Sequence, residues 1–460
     1  MPGTWLVADA DEAGVGRLAE RLALKLARGD CVALFGDLGA GKTTFARAVI
    51  RAVLADEHAE VPSPTFSIVQ TYESDRLEIA HLDLYRLASE DETGELGLDD
   101  YARRGALLIE WPERAPRLLG DNRLEIHLDE SSLSDSHRTV RMEAFGSWQP
   151  RLERLESMSA FLAGHPPWHE ASSRYLQGDA SARAYARLAT RDRRGVLMDQ
   201  PRQPDGPALR NGLPYSRIAH LAEDVRPFVA IANALSAAGL SAPEIYASDM
   251  QAGFLIIEDF GERVFGREML SGTSQPELWH AATDTLLALA HVPVPQSIPL
   301  PDGTAHTIPE QDKGVLEIEL ELLPDWYWPA LKGSAIPPDA RAEFMELWRA
   351  VFGRVLQGPK GWVLRDYHSP NLMWLPAREG PRRTGLLDFQ DAMRGSPAYD
   401  LVSVLEDARV DVAPALEDGL LDYYCRERRS DPSFDSNEFQ FAYAALGAQR
   451  NTRSWESSPA

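Results

Sequence analysis

The sequence predicts an α/β domain followed by a two-lobed α+β domain, on three observations. Residues 1–145 alternate helix-length and strand-length apolar patterns. From about 146 to 172 the character changes, with Trp148, Pro150, a short amphipathic stretch and then Gly164-His165-Pro166-Pro167. Beyond that break, short strand-like pieces come first and helical patterns dominate after residue 276. The boundaries read from this are 1–147 for the first domain, a linker at 148–171, a small lobe at 172–262 and a large, mainly helical lobe at 263–460.

The elements follow in order. Val15, Leu18, Ala19, Leu22 and Leu26 recur at helical spacing and stop at Gly29, and Cys31–Phe35 is an apolar run of strand length. Phe45, Val49, Ile50, Val53 and Leu54 line one face of a second helix, and strands are expected at 66–72, 77–82, 107–111 and 124–128. An amphipathic helix over 152–162 precedes the Pro-rich break. Strands at 174–176, 184–189 and 195–198, a Pro/Gly-rich insert at 201–214, a helix over 218–238 and a strand pair at 244–247 and 253–258 make the small lobe. Helices are clearest at 279–291, 339–356, 399–405 and 413–427, and 293–314 reads as a loop with short helices.

Hydrophobic residues at 44% and charged residues at 25% of 460 supply a core and a solvated surface, so global disorder is excluded. The formal charge of −23 argues against a stand-alone nucleic-acid binder, since phosphate-backbone affinity needs basic surface. Both halves are acidic, so the division rests on pattern and not on charge. Two cysteines far apart, Cys31 and Cys425, exclude a disulfide scaffold or a cysteine-rich metal site. No basic region followed by an apolar run opens the chain and no stretch resembles a membrane span, so a cytoplasmic protein without membrane attachment is expected.

The first chemical centre is Gly36-Asp37-Leu38-Gly39-Ala40-Gly41-Lys42-Thr43, which matches G-x-x-x-x-G-K-T between a predicted strand and a predicted helix. Gly36, Gly39 and Gly41 let backbone N–H groups turn toward phosphate, and the helix start adds its own unsatisfied donors. Lys42 is expected to reach the β- and γ-phosphates of ATP, and Thr43 to offer its hydroxyl to Mg2+. Asp83 and Glu110 stand at expected C-terminal strand ends, where α/β proteins place ligands. Ser63-Pro64-Thr65-Phe66 is a constrained turn with two hydroxyls, and a plain turn is the other reading of it.

These residues resemble the TsaE family, the ATPase subunit of the bacterial machinery that makes threonylcarbamoyladenosine at position 37 of tRNA. The resemblance covers about residues 5–145. It is carried by the loop with Thr44 (36–44), Ser-Pro-Thr-Phe (63–66), His-Leu-Asp-Leu-Tyr-Arg (81–86) and Ile-Glu-Trp-Pro-Glu (109–113). It implies a P-loop NTPase fold, with Lys42, Thr43 and Thr44 on nucleotide and Mg2+, Thr65 in a switch-like catalytic segment and Asp83 in the metal shell. Glu110 and Trp111 fall in the catalytic region. It also implies TsaD-like and TsaB-like partner subunits, with tRNA met only indirectly through the complex.

The second centre is Leu364-Arg365-Asp366-Tyr367-His368-Ser369-Pro370-Asn371, which contains D-x-x-x-x-N. Two apolar runs, 372–375 and 385–389, read as a hairpin. Pairing them brings Asn371 near Asp388, so an amide oxygen and a carboxylate can share Mg2+ while Asp366 faces the acceptor hydroxyl as base. In the small lobe, 178–182 is a candidate turn over the phosphates of ATP. No lysine occurs between Ala171 and Glu262, where one is expected near Met198 or Asp199. Arg183 is the best candidate substitute, a simple exposed arginine being the other reading, and Glu223 on the following helix is a weaker candidate for orienting it. The segment 257–260, with Glu258, reads as the connection that meets adenine.

This half resembles the aminoglycoside phosphotransferase-like kinases, with a bilobal protein-kinase-like fold. Within them it resembles the type that phosphorylates N-acetylmuramate and N-acetylglucosamine at the anomeric hydroxyl. The similarity runs from about 172 to 450, on 196–199, 256–261, 365–373, 388–392 and 399–401. It implies Asp366 as catalytic base, Asn371 and Asp388 as Mg2+ ligands and a small-molecule sugar as acceptor; the sugar-kinase type also lacks the small-lobe lysine. Leu364 departs from the wider family, which usually has His before Arg-Asp. Other readings are a catalytically silent binding or regulatory module, and a kinase of another small molecule such as an aminoglycoside. The presence of Asp366, Asn371 and Asp388 together speaks against the silent one.

Overall fold

The computed structural model describes residues 3–454 apart from 66, 88, 132–133, 135 and 177–182. The chain divides into two compact units, Met1–Asp199 with Phe254–Ile256, and Gln200–Gly253 with Ile257–Ala460.

In the first unit the order is β1 (Gly3–Ala10), α1 (Glu12–Ala23), β2 (Cys31–Phe35), α2 (Lys42–Leu54), β3 (Val69–Tyr72), β4 (Glu78–Asp83), α3 (Leu98–Arg104), β5 (Gly105–Glu110), β6 (Arg123–Glu130), β7 (Arg138–Phe145) and α4 (Gln149–Ala163). Seven strands form one sheet in the order β1-β7-β6-β2-β5-β4-β3, parallel at β6-β2-β5-β4 and antiparallel at its edges. β2 is buried except for Phe35, which is half-buried, as an interior parallel strand requires. α2 buries Phe45, Val49, Ile50 and Val53 of the periodic set that predicted it, together with Ala46, while Leu54 at its end is half-buried. Asp11 caps α1 by accepting from the Gly14 amide at 2.7 Å. Ala80, Leu82, Leu107 and Ile109 pack with Leu98 of α3 in one cluster, which leaves His81, Asp83 and Glu110 for the opposite face of the sheet. The edge strand β1 and its neighbour β7 have no counterpart in the sequence reading.

The expected linker holds α4, which buries Leu152, Leu155, Met158, Phe161 and Leu162. Three further strands, β8 (Ser172–Leu176), β9 (Ala184–Ala189) and β10 (Arg194–Asp199), pair antiparallel in register. They are tied to α1 and α4. Glu20 Oε2 accepts the Ser173 amide at 2.7 Å, and Asp199, nearly buried, is ion-paired to Lys25 and to Arg154 Nη2, the latter at 2.6 Å. Asp199 thus sits where a lysine was sought, and its carboxylate serves packing.

In the second unit the expected helix over 218–238 is shorter, Arg226–Ala237, with Pro227 in its first turn; a separate turn of helix spans Tyr215–Ile218. The insert at 201–214 carries a small hairpin, Ala208–Arg210 with Leu213–Pro214. The segment 293–314 holds a hairpin, Ser297–Pro299 with Ala305–Thr307, in place of the short helices expected before Lys313. Helices Gln275–Leu289, Pro338–Val355, Ala398–Leu405 and Pro414–Arg428 match the predicted ones within a few residues, and Ser436–Ser454 adds another. Among the described residues no helix is long and apolar enough to cross a membrane.

Candidate functional site

The glycine loop runs from β2 into α2, as its spacing requires. Gly36 has φ +140°, and a Cβ there would meet the Leu128 carbonyl oxygen at 2.5 Å, so only glycine fits. Gly41, at φ +103°, delivers the chain into α2. Lys42 Nζ donates to the carbonyls of Gly36 at 2.7 Å and Asp37 at 2.9 Å, and lies 3.6 Å from the centre of the Trp111 ring. Burial lowers the lysine's pKa, opposed by Glu110, Glu113, Asp83 and Asp37.

Glu110 and Asp83 are register partners at the C-terminal ends of β5 and β4. Glu110 Oε2 accepts the Thr43 hydroxyl at 2.9 Å, and Oε1 meets His81 Nε2 at 2.9 Å; His81 and Glu110 are both buried. Asp83 accepts the Ser63 hydroxyl at 2.7 Å and the Tyr85 amide at 3.0 Å. A cleft of about 280 Å³ is lined by Gly39, Gly41, Lys42, Thr43, Thr44, Thr65, Asp83, Glu110 and Trp111, among others, so the structure gathers every predicted N-terminal site residue there but Gly36. Phe66 lies outside the described residues. His81 is a site residue that the sequence reading assigns no role. Its period-2 spacing to Asp83, on the same strand face, was the signal available.

At the second centre, strand Leu372–Trp374 pairs antiparallel with Thr384–Leu386, with Leu372 opposite Leu386. The Leu387 amide donates to the Asn371 carbonyl at 3.0 Å, which sets Asn371 beside the residue preceding Asp388. Asn371 Nδ2 donates to the Asp366 carbonyl at 3.0 Å, and Asp388, at φ +57°, accepts Gln390 Nε2 at 2.9 Å. The hairpin and the loop thus bring Asp366, Asn371 and Asp388 into one neighbourhood.

The loop before it is held by a residue whose role sequence reasoning missed. Asp400, fully buried on helix Ala398–Leu405, accepts the amides of Leu364 at 2.5 Å and Arg365 at 2.9 Å. Burial pushes its carboxyl up to about 7 against the pull of those two amides. Arg365, at φ +75°, is locked by Glu319 at 2.9 Å and the Ala219 carbonyl at 2.6 Å, and Tyr367 Oη donates to the Ala282 carbonyl at 2.8 Å. Leu364 is buried, in a position that contributes packing and a backbone donor.

The small-lobe expectations fare differently. The turn 178–182 lies outside the described residues. Arg183 precedes β9. Glu223 stands ahead of its helix and is ion-paired to Arg217 at 2.7 Å and Arg202 at 3.6 Å, so it is not the helix-borne partner foreseen for Arg183. Glu258 is ion-paired to Arg378, and its amide donates to the Glu244 carbonyl at 2.8 Å.

Comparison with known families bears out both resemblances. Residues 10–140 match the family of the threonylcarbamoyl adenosine biosynthesis protein TsaE, and residues 173–434 match the phosphotransferase enzyme family. The chain belongs to the TsaE and phosphotransferase enzyme families. An N-acetylmuramate/N-acetylglucosamine kinase of Caulobacter vibrioides is 37% identical over 305 residues, 64% of this chain and 82% of that protein. A TsaE of Aquifex aeolicus is 36% identical over 126 residues, 27% of this chain and 86% of that protein. A TsaE of Rickettsia conorii is 42% identical over 113 residues, 25% of this chain, and the chain spans 64% of that relative's length. The chain therefore pairs a TsaE-like domain with a domain like the N-acetylmuramate/N-acetylglucosamine kinases.

Proposed function

We propose that the chain is bifunctional. Residues 1–147 act as an ATPase of P-loop NTPase type that supports threonylcarbamoyladenosine formation at position 37 of tRNA, with TsaD-like and TsaB-like partners. Residues 172–262 and 263–460 act as the two lobes of an ATP-dependent kinase for the anomeric hydroxyl of N-acetylmuramate or N-acetylglucosamine. The observation that carries the kinase reading is the bond from the Leu387 amide to the Asn371 carbonyl, which gathers the candidate metal-binding residues beside the Asp366 loop. The names of the relatives supply the substrates.

The donor sets fit Mg2+. Thr43 and Asp83 offer a hydroxyl and a carboxylate, and Asn371 and Asp388 an amide oxygen and a carboxylate, all hard oxygen donors. Asn371 uses its amide nitrogen on the Asp366 carbonyl, so its oxygen is the atom left for a cation. Bound there, Mg2+ would offset the charge of the β- and γ-phosphates.

In the kinase, Asp366 orients the anomeric hydroxyl and takes its proton as that oxygen bonds to the γ-phosphorus, while the β–γ bridge breaks and leaves ADP. Asp400 and Arg365 keep the loop in the geometry this needs. In the ATPase, Lys42 steadies the phosphates, and Glu110, held between Thr43 and His81, positions the attacking water. The test is incubation of the purified chain with ATP, Mg2+ and each sugar, followed by phosphorus NMR. A sugar 1-phosphate is expected; phosphate on a primary hydroxyl or on an aminoglycoside instead would reject the substrate assignment.

A further inference from the structure

Arg409 is a cation built against the kinase catalytic loop. Its Nη1 lies 3.2 Å from both Nδ1 and Nε2 of His368, two residues beyond Asp366. Its backbone is stapled there by Asp407, a nearly buried carboxylate that accepts the Ser369 amide at 2.7 Å and the Arg409 amide at 2.9 Å. Asp407 is thus occupied by backbone donors from both segments. Among the described residues no carboxylate is ion-paired to the Arg409 guanidinium, whose side chain reaches solvent beside the loop.

The imidazole it touches is buried and held neutral. Burial first, and Arg409 second, push its pKa down to about 4, against Asp407 and Asp388. The His368 carbonyl accepts the Asn371 amide at 2.9 Å, so Arg409 stands beside the loop that carries Asp366 and leads to Asn371, with the Asp388 carboxylate within electrostatic reach of His368. Those two carboxylates alone would favour a cationic acceptor. A guanidinium without a carboxylate partner reverses that preference locally and offers paired N–H donors to a planar anion.

We propose that Arg409 is a specificity-determining residue that binds a carboxylate on the acceptor sugar, so that the acid-bearing N-acetylmuramate is preferred to neutral N-acetylglucosamine. This rests on the sugar-kinase reading above. The two sugars share the reacting hydroxyl and the N-acetyl group, and the lactyl carboxylate is the group that Arg409 can distinguish.

The experiment measures kcat/KM of the full chain for both sugars at saturating ATP and Mg2+, in wild type, Arg409→Met and Arg409→Lys. In Arg409→Met the preference for N-acetylmuramate over N-acetylglucosamine should fall about 10- to 100-fold, through KM for N-acetylmuramate. Arg409→Lys should recover part of it, because the charge returns without the fork. An unchanged preference, or an equal loss on both sugars with a raised KM for ATP, overturns the proposal; the second result would assign the guanidinium to nucleotide phosphate. A wild-type chain that phosphorylates neither sugar overturns the kinase reading itself, and this proposal with it.

Discussion

The Thr43 hydroxyl donates to Glu110 Oε2 at 2.9 Å, joining the first turn of α2 to the end of β5. The other oxygen of the same carboxylate meets buried His81, so one side chain ties the end of the glycine loop to two strands. Glu110→Ala would leave a buried imidazole and a hydroxyl without their partner. It should cost about 1–3 kcal/mol of stability, whereas Glu110→Gln, which can still accept from Thr43, should cost less. Thermal unfolding of both variants checks this; equal melting temperatures for Glu110→Ala and wild type would refute it.

Lys42→Ala removes the cation that contacts the loop carbonyls and the Trp111 ring. Near-complete loss of ATP hydrolysis is expected when the chain is assayed with TsaD and TsaB partners, with sugar phosphorylation retained. Partner-stimulated hydrolysis at the wild-type rate would remove the assignment of Lys42.

Asp366→Asn should lower sugar-kinase turnover roughly 10²-fold or more with a modest effect on ATP affinity, since the substitution removes the proposed base and keeps the shape of the side chain. Asp388→Asn should also weaken Mg2+-dependent nucleotide binding. Calorimetric titration with ATP and Mg2+ separates the two, and indistinguishable profiles would contradict the division of roles.

Asp400→Ala should act on the kinase alone. It strips the acceptors from the Leu364 and Arg365 amides, and Arg365 holds a left-handed φ of +75° that those bonds help maintain. A fall in kinase turnover with about 1–3 kcal/mol of destabilisation is expected. Hydrolysis at the N-terminal site is the control, and a fully active kinase would show that Asp400 does not hold the loop.

His368 predicts a pH dependence. Its imidazole titrates near pH 4 in the folded chain, below its ordinary value of about 6.5. Between those values the unfolded chain binds more protons, so stability rises with pH there and is lost as pH falls from about 6.5 to about 4. The group contributes up to roughly 3 kcal/mol above that window. In urea unfolding, His368→Gln should lose less stability than wild type between pH 7 and pH 4.5. A parallel loss in both would argue that the imidazole is not held neutral.

The sequence by itself determined the strand Cys31–Phe35, the glycine loop and α2, and the hairpin joining Asn371 to Asp388, because each is set by side-chain periodicity and turn residues within about twenty positions. It also determined the spacing of Asp366 and Asn371 within one loop. Only the tertiary structure decided that Glu110 is shared by Thr43 and His81, that Asp400 holds the loop at Leu364, and that Asp199 answers to Lys25 and Arg154. The edge strand β1 was illegible for the same reason: it is half-exposed along its length, and its pairing partner β7 lies over a hundred residues away. Contacts of that kind depend on which chain segments the sheet and the helices bring together, and no local pattern encodes them.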